Sequence, residues 1–221
     1  MADILKNVLA VLLVVGWMGC ASTANPVISD AGDLRDAQFD APIDFWKIDY
    51  NRLQAACFFA SNDARRANGA STLAYDARLE AAAANYAREM SRGHFVAHVH
   101  PSNAKLREPG DRVRAQGVPN PFTAENIALV QGYPVPDRTP VFVRKGGFSL
   151  TADGPVIGPH TYKSLAESVV EGWMNSPGHR KNLLSPDALQ LGCGAALTSQ
   201  GEMPMMLFVQ NFQLFEAISE K

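Results

Sequence analysis

Cysteine is scarce in this chain. Three residues in 221, with no CxxC pair among them, are too few for a Cys-rich zinc site or a disulfide framework. A chain of this length can bury a core without either. A surplus of one charge is missing too, since 20 Lys and Arg stand against 22 Asp and Glu, for a formal net charge of -2. That balance offers no basic surface from which phosphates could release counterions, which excludes nucleic acid as an expected partner. No apolar run is long enough to span a bilayer; the longest, VLAVLLVV, covers only Val8 to Val15. HExxH, GxSxG, Walker and GxGxxG patterns are absent, so the common hydrolase and nucleotide signatures fail. What remains, 47% hydrophobic and 19% charged, has the composition of one compact folded domain rather than a disordered chain.

The apolar run follows Lys6 and precedes small residues, which reads as the h-region of a secretory signal over residues 1–24. Two exits are open. Gly19 before Cys20 resembles a bacterial lipoprotein site with Cys20 as the lipidated residue, while Ser22, Thr23 and Ala24 satisfy the small-x-small rule of ordinary cleavage. Lipidation would anchor the domain on an envelope surface, because several acyl chains exceed the marginal hold of one. Either exit implies a protein that is secreted or held in the cell envelope, where Cys57 and Cys193 could form a disulfide. Two buried small apolar side chains are the equal alternative for that pair. Residues 25–44 carry Asp30, Asp33, Asp36, Asp40 and Asp44 with little apolar periodicity, and read as a solvated tether before a folded domain over 45–221.

Within the domain, Leu53, Cys57, Ala60 and Ala64 recur at helical spacing, and Asn68 and Gly69 supply a stop. Asp76 is a good N-cap for a second helix, along which Leu79, Ala82, Ala83, Tyr86 and Met90 form a stripe ending near Gly93. Four consecutive alanines, Ala81 to Ala84, permit close packing. Glu125 to Leu129 is an apolar island. Residues 132–159, dense in Gly and Pro, hold short strand candidates at Val141 to Val143, Phe148 to Leu150 and Val156 to Ile157, and read as an inserted hairpin or flap. Ser164 and Glu167 form a capping-box pattern ahead of a third helix carrying Leu165, Val169 and Trp173. Ser176 and Pro177 open a short fourth helix through Leu184. Leu191 to Leu197 and Met205 to Phe215 read as strands joined through Gly201. Helices first and strands last point to an α+β fold and away from a doubly wound parallel sheet.

Three of the five histidines crowd into GHFVAHVHP as His94, His98 and His100, and His179 stands at a helix start, where a cationic imidazole is disfavoured. The ordered set AHVHP, AENIA, VVEGWMNSPGHRKNLLSP, LGCG and FVQNF resembles the CAP superfamily, the SCP or pathogenesis-related-1-like proteins, from about Asn51 to Phe212. WMNSPGHRKNLL is its most specific piece. The resemblance implies a three-layer α-β-α sandwich with a central antiparallel sheet and an open cleft in which two histidines and two acids can hold a divalent cation. Carried over by position, His98, Glu125 and His179 become the metal ligands. Where relatives place a glutamate just after the tryptophan of the third helix this chain has Ser176, so Glu171 or Glu167 would supply the fourth acid, and Asn126 and Ser176 would orient the ligands from behind. Two imidazoles and one carboxylate are enough for an open zinc-type site with water in the fourth position. Its affinity should fall as pH drops through about 6.5.

The expected function is that of a secreted or envelope-anchored binding module for a lipid, a sterol-like molecule or an extracellular protein. The flap would supply a wall through Phe142, Phe148 and His160. The alternative is a metal- or histidine-dependent hydrolase in the same cleft, with His98 or His179 as general base.

Overall fold

The computed structural model describes residues 24–136, 139–200 and 202–219. The secretory run, the lipidation candidate Cys20 and the turn at Gly201 lie outside those residues. Among the described residues no helix is long and apolar enough to cross a membrane.

The spine of the fold is the hairpin of β5 (Ala188–Gln200) and β6 (Met203–Leu214), paired antiparallel from Ala188 with Leu214 to Gln200 with Met203. β2 (Thr123–Gln131), which contains the apolar island at Glu125 to Leu129, adds antiparallel to the other side of β6. β1 (Ala74–Tyr75) pairs with the start of β5 in parallel, giving the order β1-β5-β6-β2. The central sheet is therefore antiparallel apart from a two-residue edge.

Strand alternation sorts the side chains between two helical layers. Met206, Phe208 and Phe212 join Leu191 and Cys193 in a core with α2 (Tyr50–Ala67) and α5 (Tyr162–Asn175), whereas Leu207 and Val209 pack with Ala83, Tyr86 and Met90 of α3 (Ala77–Gly93). Glycine fixes how closely α3 approaches. A Cβ at Gly192 or Gly194 would sit 2.0 or 2.1 Å from backbone nitrogens of Glu80 and Ala84, so only glycine permits this contact.

Residues 25–44 are not a free tether. They form α1 (Pro26–Ala31) and a 3-10 turn at Ala37–Asp40, and they bury Leu34, Phe39 and Ile43 in the main core. The aspartates there act as caps and turn formers: Asp36 accepts from the Gln38 N–H and Asp44 from the Trp46 N–H. The three apolar side chains enter the core one at a time from irregular backbone, which leaves no period to read. α5 also begins earlier than its sequence pattern suggests. Thr161 and Ser164 form the capping box, rather than Ser164 and Glu167, because strand-like contacts of Pro42 and Ile43 with residues 160 and 161 fix the entry of the chain. The short α4 (Pro109–Ala115) completes the helices together with α6 (Pro177–Leu183). In the inserted segment β3 (Phe142–Arg144) and β4 (Gly147–Ser149) make a hairpin whose turn places Gly146 at φ +90°, and Val156 to Ile157 contributes only a single bridge from Ile157 to Phe148.

Candidate functional site

Glu125 projects from β2 opposite Asn211 and is almost wholly buried. Both of its oxygens are engaged. Oε1 lies 2.9 Å from His98 Nδ1, and Oε2 accepts from Arg112 Nη2 at 2.7 Å. Arg112 comes from α4 and is itself buried, its guanidinium 3.5 Å from the centroid of the Tyr86 ring. It also donates to the carbonyls of Leu106, Arg107 and His98, while the Tyr86 hydroxyl donates to Ala97 O at 2.6 Å. The irregular stretch carrying the histidine triplet is thereby strapped to the sheet by one guanidinium and one phenol. The guanidinium and the imidazole replace the hydration that the buried carboxylate has lost.

His98 is about half exposed, at 52% of its side chain, and uses Nδ1 on Glu125, which leaves Nε2 without a hydrogen-bond partner among the described residues. The hydrogen bond to Glu125 raises its pKa against the opposing effect of burial. His179, the third residue of α6, is pushed the other way, first by burial and then by the charge of His98. α6 is held against β2 by amides: Asn126 Nδ2 donates to the His179 carbonyl at 3.2 Å, and Asn182 Nδ2 to the Glu125 carbonyl and to Asn126 Oδ1. Behind them Asn126 meets Gln210, which in turn donates to Ser61.

The remaining histidines are structural. His94 caps α3 in the left-handed region, and His100 accepts two backbone N–H groups on Nδ1 while Nε2 lies 3.1 Å from Glu89. Asn126 holds the backbone of His179 rather than its ring. Ser176 occupies the N-cap position of α6 without a side-chain cap bond. Glu167 and Glu171 lie exposed on α5, opposite its buried stripe. Among the described residues no three His, Cys, Asp or Glu side chains converge to hold a metal ion. With both Glu125 oxygens occupied and no second acid beside them, the set does not fit the three-ligand zinc site expected from the resemblance. Cys57 on α2 and Cys193 on β5 meet as free, buried thiols instead of a disulfide, and burial followed by the contact with Cys57 pushes the Cys193 thiol well up.

Arg112, Tyr86, Asn182, Gln210 and Ser61 were not legible as site residues. Nothing in the spacing separates Arg112 from Arg107 and Arg114; only its position beside the buried Val113 on α4 hints that it points inward.

A second opening lies beside the flap. This cavity of about 560 Å³ is walled by Phe45, Trp46, Tyr133, Val143 and Phe148, with Arg144 and Glu202 among its polar residues. Phe45 stacks on Tyr133 at 5.7 Å and Tyr133 meets Phe148 edge-on at 4.7 Å, so the wall is pre-organised, whereas Trp46 is 99% exposed at the rim. Of the three flap residues expected to touch ligand, Phe148 lines this cavity. Phe142 and His160 are not among its walls, and His160 bonds Ser164 at the start of α5.

Residues 58–212 match the sequence profile of the cysteine-rich secretory protein family, CAP. The uncharacterized protein YkwD of Bacillus subtilis is 27% identical over 134 residues, which are 61% of this chain and 38% of that protein. An extracellular protein of Bacillus anthracis containing an SCP domain superposes with a TM-score of 0.49 at 22% identity, covering 79% of this chain and 45% of its own. An outer surface protein of Borrelia burgdorferi gives 0.44 at 18% identity, covering 72% and 90%. The chain thus spans less than half the length of the first two of these relatives.

Proposed function

The chain belongs to the cysteine-rich secretory protein (CAP) family, and on that premise we propose that it is an exported binding module for a small lipid-like or sterol-like molecule, held in the aromatic cavity beside the flap. The cavity carries this reading. Its volume falls in the range of small-molecule sites, its walls are largely aromatic and aliphatic, and a few polar groups at the rim could orient a polar head. Trp46 supports it further, since a fully exposed indole is free to close over an apolar guest.

The test is titration of the purified protein with a fluorescent fatty acid and a fluorescent sterol, alongside mass spectrometry of solvent extracts of the exported protein. Trp46→Ala and Val143→Asp should each weaken binding about tenfold or more, a loss of ~1.4 kcal/mol or more, while His98→Ala with His179→Ala leaves it unchanged. Equal affinity in all four proteins, or capture only of another protein, removes the proposal.

The His98 and Glu125 pair favours one second reading. An imidazole held on Nδ1 by a buried carboxylate, on a ring half exposed to solvent, has the geometry of a general base. On that reading the protein is a hydrolase in which His98 takes a proton from water. Ester or peptide turnover lost in His98→Gln but kept in Trp46→Ala would establish it.

A further inference from the structure

Glu80 stands in the first turn of α3 with only 8% of its surface exposed, and no Lys, Arg or His pairs with it among the described residues. Its carboxylate is met instead by neutral donors, Asn25 Nδ2 at 3.2 Å from Oε2 and the hydroxyl of Tyr75. The other charged or titratable groups facing it are Tyr75 and Asp76 before α3 and Cys193 on β5, none of them cationic, and the neighbouring Arg78 is committed to Asp76 at 2.6 Å. A buried carboxylate without a cation is costly, and burial lifts this one to about 7 against the opposing hydrogen bonds from Asn25 and Tyr75.

The backbone nitrogen of Asn25 meets the same Tyr75 hydroxyl. Asn25 is 2% exposed, its N–H donates to that hydroxyl at 3.0 Å, and its side chain also donates to Asn51 O at 2.8 Å. Asn25 N is therefore one hydroxyl removed from Glu80, while Ala24 before it is exposed. In the sequence, Ser22, Thr23 and Ala24 form the small-x-small signal that places a cut at this same bond.

We propose that cleavage between Ala24 and Asn25 creates an α-ammonium that docks on the Tyr75 hydroxyl and forms a buried ion pair with Glu80, so that processing completes the fold. In the step, a signal peptidase directs water onto the Ala24 carbonyl carbon. The C–N bond breaks, Ala24 keeps the hydroxyl oxygen as a carboxylate, and the Asn25 nitrogen takes up the protons to become an ammonium. One N–H donor becomes three, and the missing cation appears where the carboxylate is buried. The pairing also answers a local penalty. Asn25 is the N-cap of α1, where a positive charge opposes the helix dipole, and Glu80 offsets it.

The experiment uses the exported full chain. N-terminal sequencing and intact mass should show a protein beginning at Asn25. Its α-amine should react with an acylating ester near pH 7 at least tenfold more slowly in the folded protein than in urea, and Glu80→Gln should raise the folded rate toward the unfolded one. A chain beginning at Cys20 with the mass of a lipid overturns the proposal, as does an amine that reacts equally fast folded and unfolded. Should Glu80→Gln fail to fold, the folded-to-unfolded ratio of the wild type decides by itself.

Discussion

Glu125 serves two partners of different kinds. Arg112, buried and permanently charged, neutralises it, while His98 samples solvent and titrates. The two cleft histidines therefore respond to pH in opposite senses. His98 has its pKa raised by the bond to Glu125, so its contribution to stability is fully present below the ordinary histidine value near 6.5 and is lost as pH rises through its higher folded value. His179 has its pKa lowered by burial, so its contribution is present above that value and is lost as pH falls through its lower folded value. Melting temperatures between about pH 5 and 8 should show this. The His98→Asn profile should tilt toward the alkaline side relative to wild type, and the His179→Asn profile toward the acid side. A tilt of the same sign in both variants would mean that the rings do not occupy the environments described.

At the scale of elements, the contact of α3 with β5 rests on two positions without side chains. Gly194→Ala would drive a methyl into the backbone of Ala84, which cannot yield as a flexible side chain could, and the cost should reach about 2 kcal/mol or more in urea denaturation. A loss below about 0.5 kcal/mol would show that the helix can lift away. This contact was half legible beforehand: the run Ala81 to Ala84 announced close packing, but not what it packed against. α2 and α3 were readable because each carries a period and a cap, with Asp49 and Asp76 accepting from their first turns, whereas α6 was marked by Ser176 and Pro177 at its start and the terminal hairpin by its apolar runs. β1 and α4 were missed for want of length. Two residues and seven residues are too short to show periodicity, and β1 exists only because residues 190 and 191 lie alongside it. The site was legible only where motifs mark it: His98 and Glu125 came together, while the guanidinium that takes one side of the acid carries no local signal.

For the molecule as a whole, the segment before α2 is part of the domain. Phe39 is fully buried and meets Phe59 edge-on at 5.9 Å. Phe39→Ala should cost about 3–5 kcal/mol, measured by thermal or chemical unfolding, whereas a residue on a free linker would change stability by less than about 0.5 kcal/mol. The aspartate spacing concealed this, because composition reports solvated charge and is silent about isolated apolar side chains inserted between turns.

The sheet on which α2, α3 and α5 all rest is made mainly from residues 188–214, and β2 finds its partner in β6 some eighty positions further along. During vectorial synthesis the early helices emerge with their apolar faces and no surface to receive them. The central sheet accordingly cannot be completed until residue 214 has left the ribosome. Until then the apolar faces of α2, α3 and α5 have no completed sheet to cover them.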